Sequence, residues 1–265
     1  MPSVRANGVA LHYETSGNGA ETVLMAHGLL MDQRMWDAQR AALAGRYRVI
    51  AYDHRGQGRS QARGPYDMET LTVDAVALLR ALDAAPCHFV GLSMGGFVGL
   101  RLAARHPELL RSLTLLDSSA EREPAAARRR FRLMTLAVRL VGVAPLIPQV
   151  LPLMFGSSTR ADPAQAALVS VWATRLRALP RRIARPVQGV IRRRDVTAEL
   201  AAIRCPTLVV VGEEDATTPP HRAERMADGI AGSRLVRLPC CGHSSALEAP
   251  AAVNRLLLEF LATSR

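Results

Sequence analysis

The chain of 265 residues contains no lysine; all 34 of its basic side chains are arginine. A uniform preference of that kind is a coding bias and carries no function by itself. Aromatic residues are scarce, at 4%. The four cysteines, Cys87, Cys205, Cys240 and Cys241, show neither the CxxC spacing of a metal site nor the pattern of a disulfide framework. Buried, reduced thiols in a cytoplasmic protein are the expectation. Cys240 and Cys241 stand just before Gly242 and His243, where a structural role is expected. No run of about 20 apolar residues is free of charges and breakers, which argues against a spanning helix. The first residues, "MPSVRANGVALHYETSGNG", have no apolar core or small-residue cleavage site, so no secretory signal is read there.

What is present alternates. Strand-like runs are "VALHYETSG", "TVLMAH", "YRVIAYD", "CHFVGL", "LLRSLTLLD", "PTLVVVG" and "SRLVRLP". Several are continuously apolar, as strands buried on both faces are. Helical patterns cover 68–83, 95–106, 221–230 and 249–262. Strands alternating with helices predict an α/β fold, a mainly parallel sheet with right-handed crossovers. Residues 120–202 break the rhythm with helical patterns and prolines. The expected organisation is a core in two parts, 1–119 and 203–265, with a helical cap insertion at 120–202.

The stretch "GLSMGG" (91–96) follows a strand and opens a helix. A tight strand-to-helix turn projects the Ser93 hydroxyl outward, and Gly91 and Gly95 allow the two elements to approach. A serine hydroxyl needs a base. Of seven histidines, His243 is the best placed, on a glycine-flexed loop after the last strand. The imidazole in turn needs a carboxylate. Asp215, just past the strand "PTLVVVG", is the stronger candidate and Asp117 the main rival; of its neighbours Glu213 and Glu214, one reads as a solvated turn residue or as the acid itself. An oxyanion hole needs two N–H donors, for which Met94, next to the serine, and Leu29, in the loop "HGLLMDQRMW", are the candidates. His27 and His54 read as turn residues of the site floor. Trp36 is a candidate for substrate contact, with a core role as the alternative.

Arginine is unevenly placed. Between Glu121 and Arg194 there are 15 arginines and three acids, so this segment carries the chain's net charge of +11 and one more. Coding bias does not explain that concentration. "RRRFRLMTLAVRLV" reads as a basic amphipathic helix, with Leu133, Leu136, Ala137 and Leu140 near one face. That apolar side is expected to pack on the core with its arginines solvated. A sharper reading is an acyl pocket beneath a positive rim, including Arg192, Arg193 and Arg194, that attracts an anionic substrate. Docking on a membrane surface is a third. No nucleic-acid motif accompanies the charge.

Taken together, "HGLL", "YDHRGQGRS", "GLSMGG", "PTLVVVGEEDATTPP" and "CGHSSALEAP" resemble the α/β-hydrolase superfamily across nearly the whole chain. The form with "LSMGG" and "RMWDAQ" is similar to 3-oxoadipate enol-lactonases and small bacterial carboxylesterases. The resemblance implies hydrolysis of an ester or lactone through an acyl-serine, with no metal or organic cofactor. Perhydrolases and hydrolases of thioesters or C–C bonds share the machinery. Ser93 separates the chain from dehalogenases and epoxide hydrolases, which use an aspartate nucleophile. A non-catalytic small-molecule binder is the rival from another class, and labelling of Ser93 by a fluorophosphonate discriminates against it.

Overall fold

Strands β1 (Ser3–Ala6) and β2 (Val9–Ser16) open the chain, followed by β3 (Thr22–Ala26), α1 (Asp37–Leu43), β4 (Arg48–Tyr52), α2 (Met68–Ala81), β5 (Cys87–Leu92), α3 (Met94–Arg105) and β6 (Leu110–Leu116). Five helices come next: α4 (Ala125–Val141), α5 (Ile147–Met154), α6 (Ser157–Ala161), α7 (Ala166–Arg177) and α8 (Ala184–Ile191). The chain returns to the sheet with β7 (Thr207–Gly212), α9 (Pro220–Gly229), β8 (Arg234–Leu238), α10 (Ser245–Glu248) and α11 (Pro250–Thr263). This computed structural model describes residues 2–264.

The eight strands form one sheet in the order β1-β2-β4-β3-β5-β6-β7-β8. β1 and β2 pair antiparallel, as do β2 and β4; every other pairing is parallel. The β1 edge strand has no counterpart among the strands expected from sequence, because four residues with alternating exposure give too short an apolar signal. The continuous apolar runs lie in the interior, where helices cover both faces. Alternation along them divides the core. Leu24, Ala26 and Phe89 pack with α2 and α3, whereas Val23, Met25 and Val90 pack with α1 and α11.

Among the described residues, 120–202 contains helices and no strand. Val138, Val143, Ile147, Val150, Phe155 and Trp172 of this segment share a core with Met25, Val90 and Val210 of the sheet. One expectation is corrected here. Leu133, Leu136 and Leu140 of α4 face solvent, not the core. The inward side of α4 is formed by Phe131, Met134, Thr135 and Val138, one step around the helix.

The turn between β5 and α3 fixes the rest. Ser93 sits at φ 50°, ψ −110°, a conformation that costs an L-residue energy and persists only where surroundings enforce it. Ser93 N donates to Leu116 O at 2.9 Å, and Ser118 Oγ donates to Ser93 O at 3.0 Å. A Cβ on Gly95 would overlap the Ala26 carbonyl at the end of β3, and one on Gly91 would run into the Gly95 main chain. Gly95→Ala is therefore expected to destabilise the protein by roughly 1–3 kcal/mol, the usual cost of overpacking. Urea unfolding checks this: an unchanged midpoint would mean that helix and strand separate here at no cost.

Candidate active site

The C-terminal ends of β3, β5, β7 and β8 bring the predicted residues together. Ser93, on the β5–α3 turn, has its Oγ 2.9 Å from His243 Nε2. His243 Nδ1 lies 2.8 Å from Asp215 Oδ2. The Asp215 carboxylate is held by its own turn. Its Oδ1 accepts from the amides of Thr217 (2.8 Å) and Thr218 (2.9 Å), and its Oδ2 from Thr218 Oγ1 (2.7 Å). Four acceptor contacts leave this carboxylate one way to face, toward the imidazole.

Electrostatics follow from burial and pairing. Burial alone would depress the pKa of His243, but the Asp215 charge and hydrogen bond, aided by Asp117 and Glu248, raise it above the ordinary 6.5. Burial would raise that of Asp215; the His243 interaction and the Thr218 bonds outweigh it and hold the carboxylate below its usual range. The two shifts describe one pair that favours Asp⁻ beside a basic imidazole.

Asp117 takes a different part from that of acid partner to the histidine. Its Oδ1 accepts from Gly212 N (3.0 Å) and its Oδ2 from Ser245 N (2.9 Å), so it ties the end of β7 to the loop carrying His243. Burial and the nearby Asp215 push its pKa up to about 7. Glu248 is a second tether, accepting from Ser244 N (2.9 Å), Gly242 N (3.0 Å) and Gly156 N (2.8 Å). Glu214 holds the other side of the cap through Ser157 Oγ and Ser158 N, both at 2.8 Å, while Glu213 is exposed. Sequence reasoning gave no bracing role to Asp117, Glu248 or Thr218. The only signal was their presence in "LLD", "CGHSSALEAP" and "DATTPP".

On the opposite wall, Leu29 and Met94 offer N–H groups with no acceptor among the described residues. Gln57 touches the residue after Leu29 and the side chain of Met94. Its Oε1 accepts from Leu30 N at 2.9 Å, and its Nε2 lies 3.6 Å from Met94 Sδ. His27 Nε2 accepts from His54 N at 3.0 Å, which leaves Nδ1–H to donate to Gly28 O at 2.7 Å. Burial depresses the pKa of both histidines, and neither lines the cavity.

A cavity partly open to solvent lies over Ser93 and His243. Its walls are apolar, with Phe97 and Leu29 from the core and Phe131, Met134, Val150 and Ile191 among those from the cap. Trp36 is not among them. It is fully buried in the sheet core, so the expectation of a substrate contact is corrected in favour of packing. Of the arginines expected at a positive rim, Arg193 is corrected as well. Arg193 is buried, donating to Glu123 Oε1 at 2.6 Å and stacking over Phe97 at 4.3 Å, whereas only Arg192 and Arg194 are exposed. Removing Arg193 would break a buried pair, not thin a solvated charge. Cys240 is exposed and Cys241 buried, and neither lines the cavity. No group of three or more His, Cys, Asp or Glu among the described residues is arranged for a metal ion.

Asp215→Asn is expected to lower kcat on the order of 10⁴-fold, because the amide favours the wrong imidazole tautomer. Asp117→Asn is expected to cost mainly stability, about 1–3 kcal/mol, since one amide donor would face another. Steady-state kinetics and urea unfolding of both variants check the division. A crippled Asp117→Asn beside a normal Asp215→Asn would reverse it.

Comparison with known proteins bears on the fold. A family model for the α/β hydrolase fold matches residues 21–250. A Variovorax paradoxus protein provisionally named carbamate hydrolase RutD is 34% identical, covering 95% of this chain and 96% of its own. A thermophilic esterase from Thermogutta terrifontis superposes with a TM-score of 0.92 at 31% identity, over 100% of this chain and 99% of its own. The enol-lactonase of Burkholderia xenovorans LB400 gives 0.91 at 30%, over 98% and 100%.

Proposed function

This chain belongs to the α/β-hydrolase family, and we propose that within it the chain is a serine hydrolase of carboxylic esters or lactones with an apolar acyl or alkyl portion. The carrying observation is the linked chain Ser93 Oγ–His243–Asp215, at 2.9 and 2.8 Å, opening into an apolar cavity.

Ser93 Oγ attacks the carbonyl carbon while His243 Nε2 takes its proton. The oxyanion so formed is met by the amides of Leu29 and Met94, donors that need no reorientation as charge develops. Asp215 keeps Nδ1 protonated and stabilises the imidazolium. Collapse of the adduct expels the alcohol, which takes the proton from Nε2, and leaves an acyl-serine. Water then repeats the sequence and releases the acid. Each half-reaction returns the histidine to its neutral form.

The cavity supports the substrate class. Glu123 already neutralises Arg193, so a free carboxylate gains no unpaired cation there. The remaining wall offers little but apolar carbon. The enol-lactonase among the similar proteins is in keeping with the lactone arm of this class, and the protein provisionally named a carbamate hydrolase makes carbamates the rival acyl donors on the same machinery.

A panel of p-nitrophenyl esters from acetate to decanoate, run beside lactones and an aryl carbamate, tests the reading. kcat/KM is expected to rise from acetate toward medium chains, and Ser93→Ala to lose on the order of 10⁴-fold or more. A serine variant that keeps wild-type turnover would remove the mechanism; preference for the carbamate would replace the substrate class.

The pH profile has a fixed sign. The base works only when neutral, so kcat/KM falls as pH drops through the pKa of His243, which stands above 6.5. Asp215→Asn removes the chief raising interaction and is expected to move the acid limb to lower pH as well as lowering its plateau. An acid limb that stays put in this variant would sink the assignment of Asp215 as the partner.

A further inference from the structure

The outer face of α4 has no partner within the chain. Leu133, Leu136 and Leu140, at i, i+3 and i+7, make one stripe and are 63%, 52% and 64% exposed. Leucines are ordinarily the residues a helix turns inward, and here Phe131, Met134, Thr135 and Val138 already do that by lining the cavity. Arg129 lies within the stripe; Arg128, Arg132 and Arg139 flank it on one side and Arg130 on the other. The helix contains no acid. At its seam with α8, Arg132, Arg139 and Arg192 line a shallow recess with Leu136, Gln188 and Ile191. None of these three arginines has an acidic partner among the described residues.

We propose that this face of α4 docks the protein on an anionic lipid surface, the leucines entering the interface and the arginines meeting lipid phosphates. An apolar stripe between cationic flanks matches a layer that is apolar below and anionic above. The long arginine stems let the charges reach phosphate while the leucines lie deeper. A second copy of the chain fits poorly, because self-pairing sets five arginines against five. A protein groove would need a shape cut to a convex helix, whereas lipid conforms to it. No helix among the described residues is long and apolar enough to cross a membrane, so the contact is peripheral. Docking would set the cavity roof against the lipid, where apolar esters partition. The inference concerns binding and stands whichever acyl donor the cavity takes.

Sedimentation of the full chain with vesicles tests it. Vesicles of phosphatidylcholine alone are compared with vesicles in which one lipid in four is phosphatidylglycerol. Binding is expected to be about tenfold or more tighter to the anionic vesicles and to weaken with added salt. Leu133→Gln/Leu136→Gln/Leu140→Gln is expected to lose that binding at least tenfold while keeping the wild-type circular dichroism and turnover of a soluble acetate ester. Arg129→Gln/Arg130→Gln is expected to flatten the salt dependence. Absence of binding by the wild type, equal binding to both vesicles, or unchanged binding by the leucine variant would each overturn the proposal. A concentration-dependent dimer that disappears in the leucine variant, without vesicle binding, would assign the face to a second copy instead. Loss of ester turnover by the wild type would count against the reaction and leave the vesicle result standing.

Discussion

The left-handed backbone at Ser93 is the constraint from which the rest of the site follows. A side chain at φ 50° survives there because its amide is bonded to β6, its carbonyl to Ser118, and the following helix is pressed against β3 and β5. That pressing demands bare α-carbons at Gly91 and Gly95. It also leaves the Met94 amide, the first of α3, without an acceptor next to the hydroxyl, and the proposed mechanism uses it as a donor to the developing charge.

The histidine and its acid arrive from further along the chain, and buried carboxylates hold them in register with that turn. Asp117 joins the end of β7 to the histidine loop, and Glu248 joins the same loop to Gly156 of the cap. Each carboxylate satisfies main-chain amides that would otherwise be buried without acceptors, a loss costing about 1–3 kcal/mol per group. The acid that meets the imidazole and the acid that braces its loop are thus different residues of similar burial. Hydrogen-bond partners, not proximity, tell them apart.

The cap shows how composition misleads when the third dimension is missing. Its arginines look like one positive field in sequence. In the fold, Arg193 is consumed by a buried pair with Glu123, while Arg129, Arg130, Arg132, Arg139 and Arg192 are exposed. The apolar residues divide in the same way: the cavity takes Phe131, Met134 and Val138, and the leucines that looked like core stay outside.

The sequence by itself determined the strand and helix alternation, because period and apolar runs are local properties. It also placed the Gly-Ser-Gly turn and the candidates Ser93, Asp215, His243, Leu29 and Met94 in turns that follow patterned strands, and the folded chain puts the first three within hydrogen-bond reach of one another. Four features were decided only by tertiary structure: the division of labour between Asp215 and Asp117, the tethers of Glu248 and Gln57, the core position of Trp36, and the outward turn of Leu133, Leu136 and Leu140. The physical reason is common to all four. Two aspartates that each follow a strand look alike in sequence, and an amphipathic helix with apolar residues on two sides has no single inward face. Which amide meets which carboxylate, and which side of α4 meets the cavity, depends on partners dozens of residues away that only the folded chain brings together.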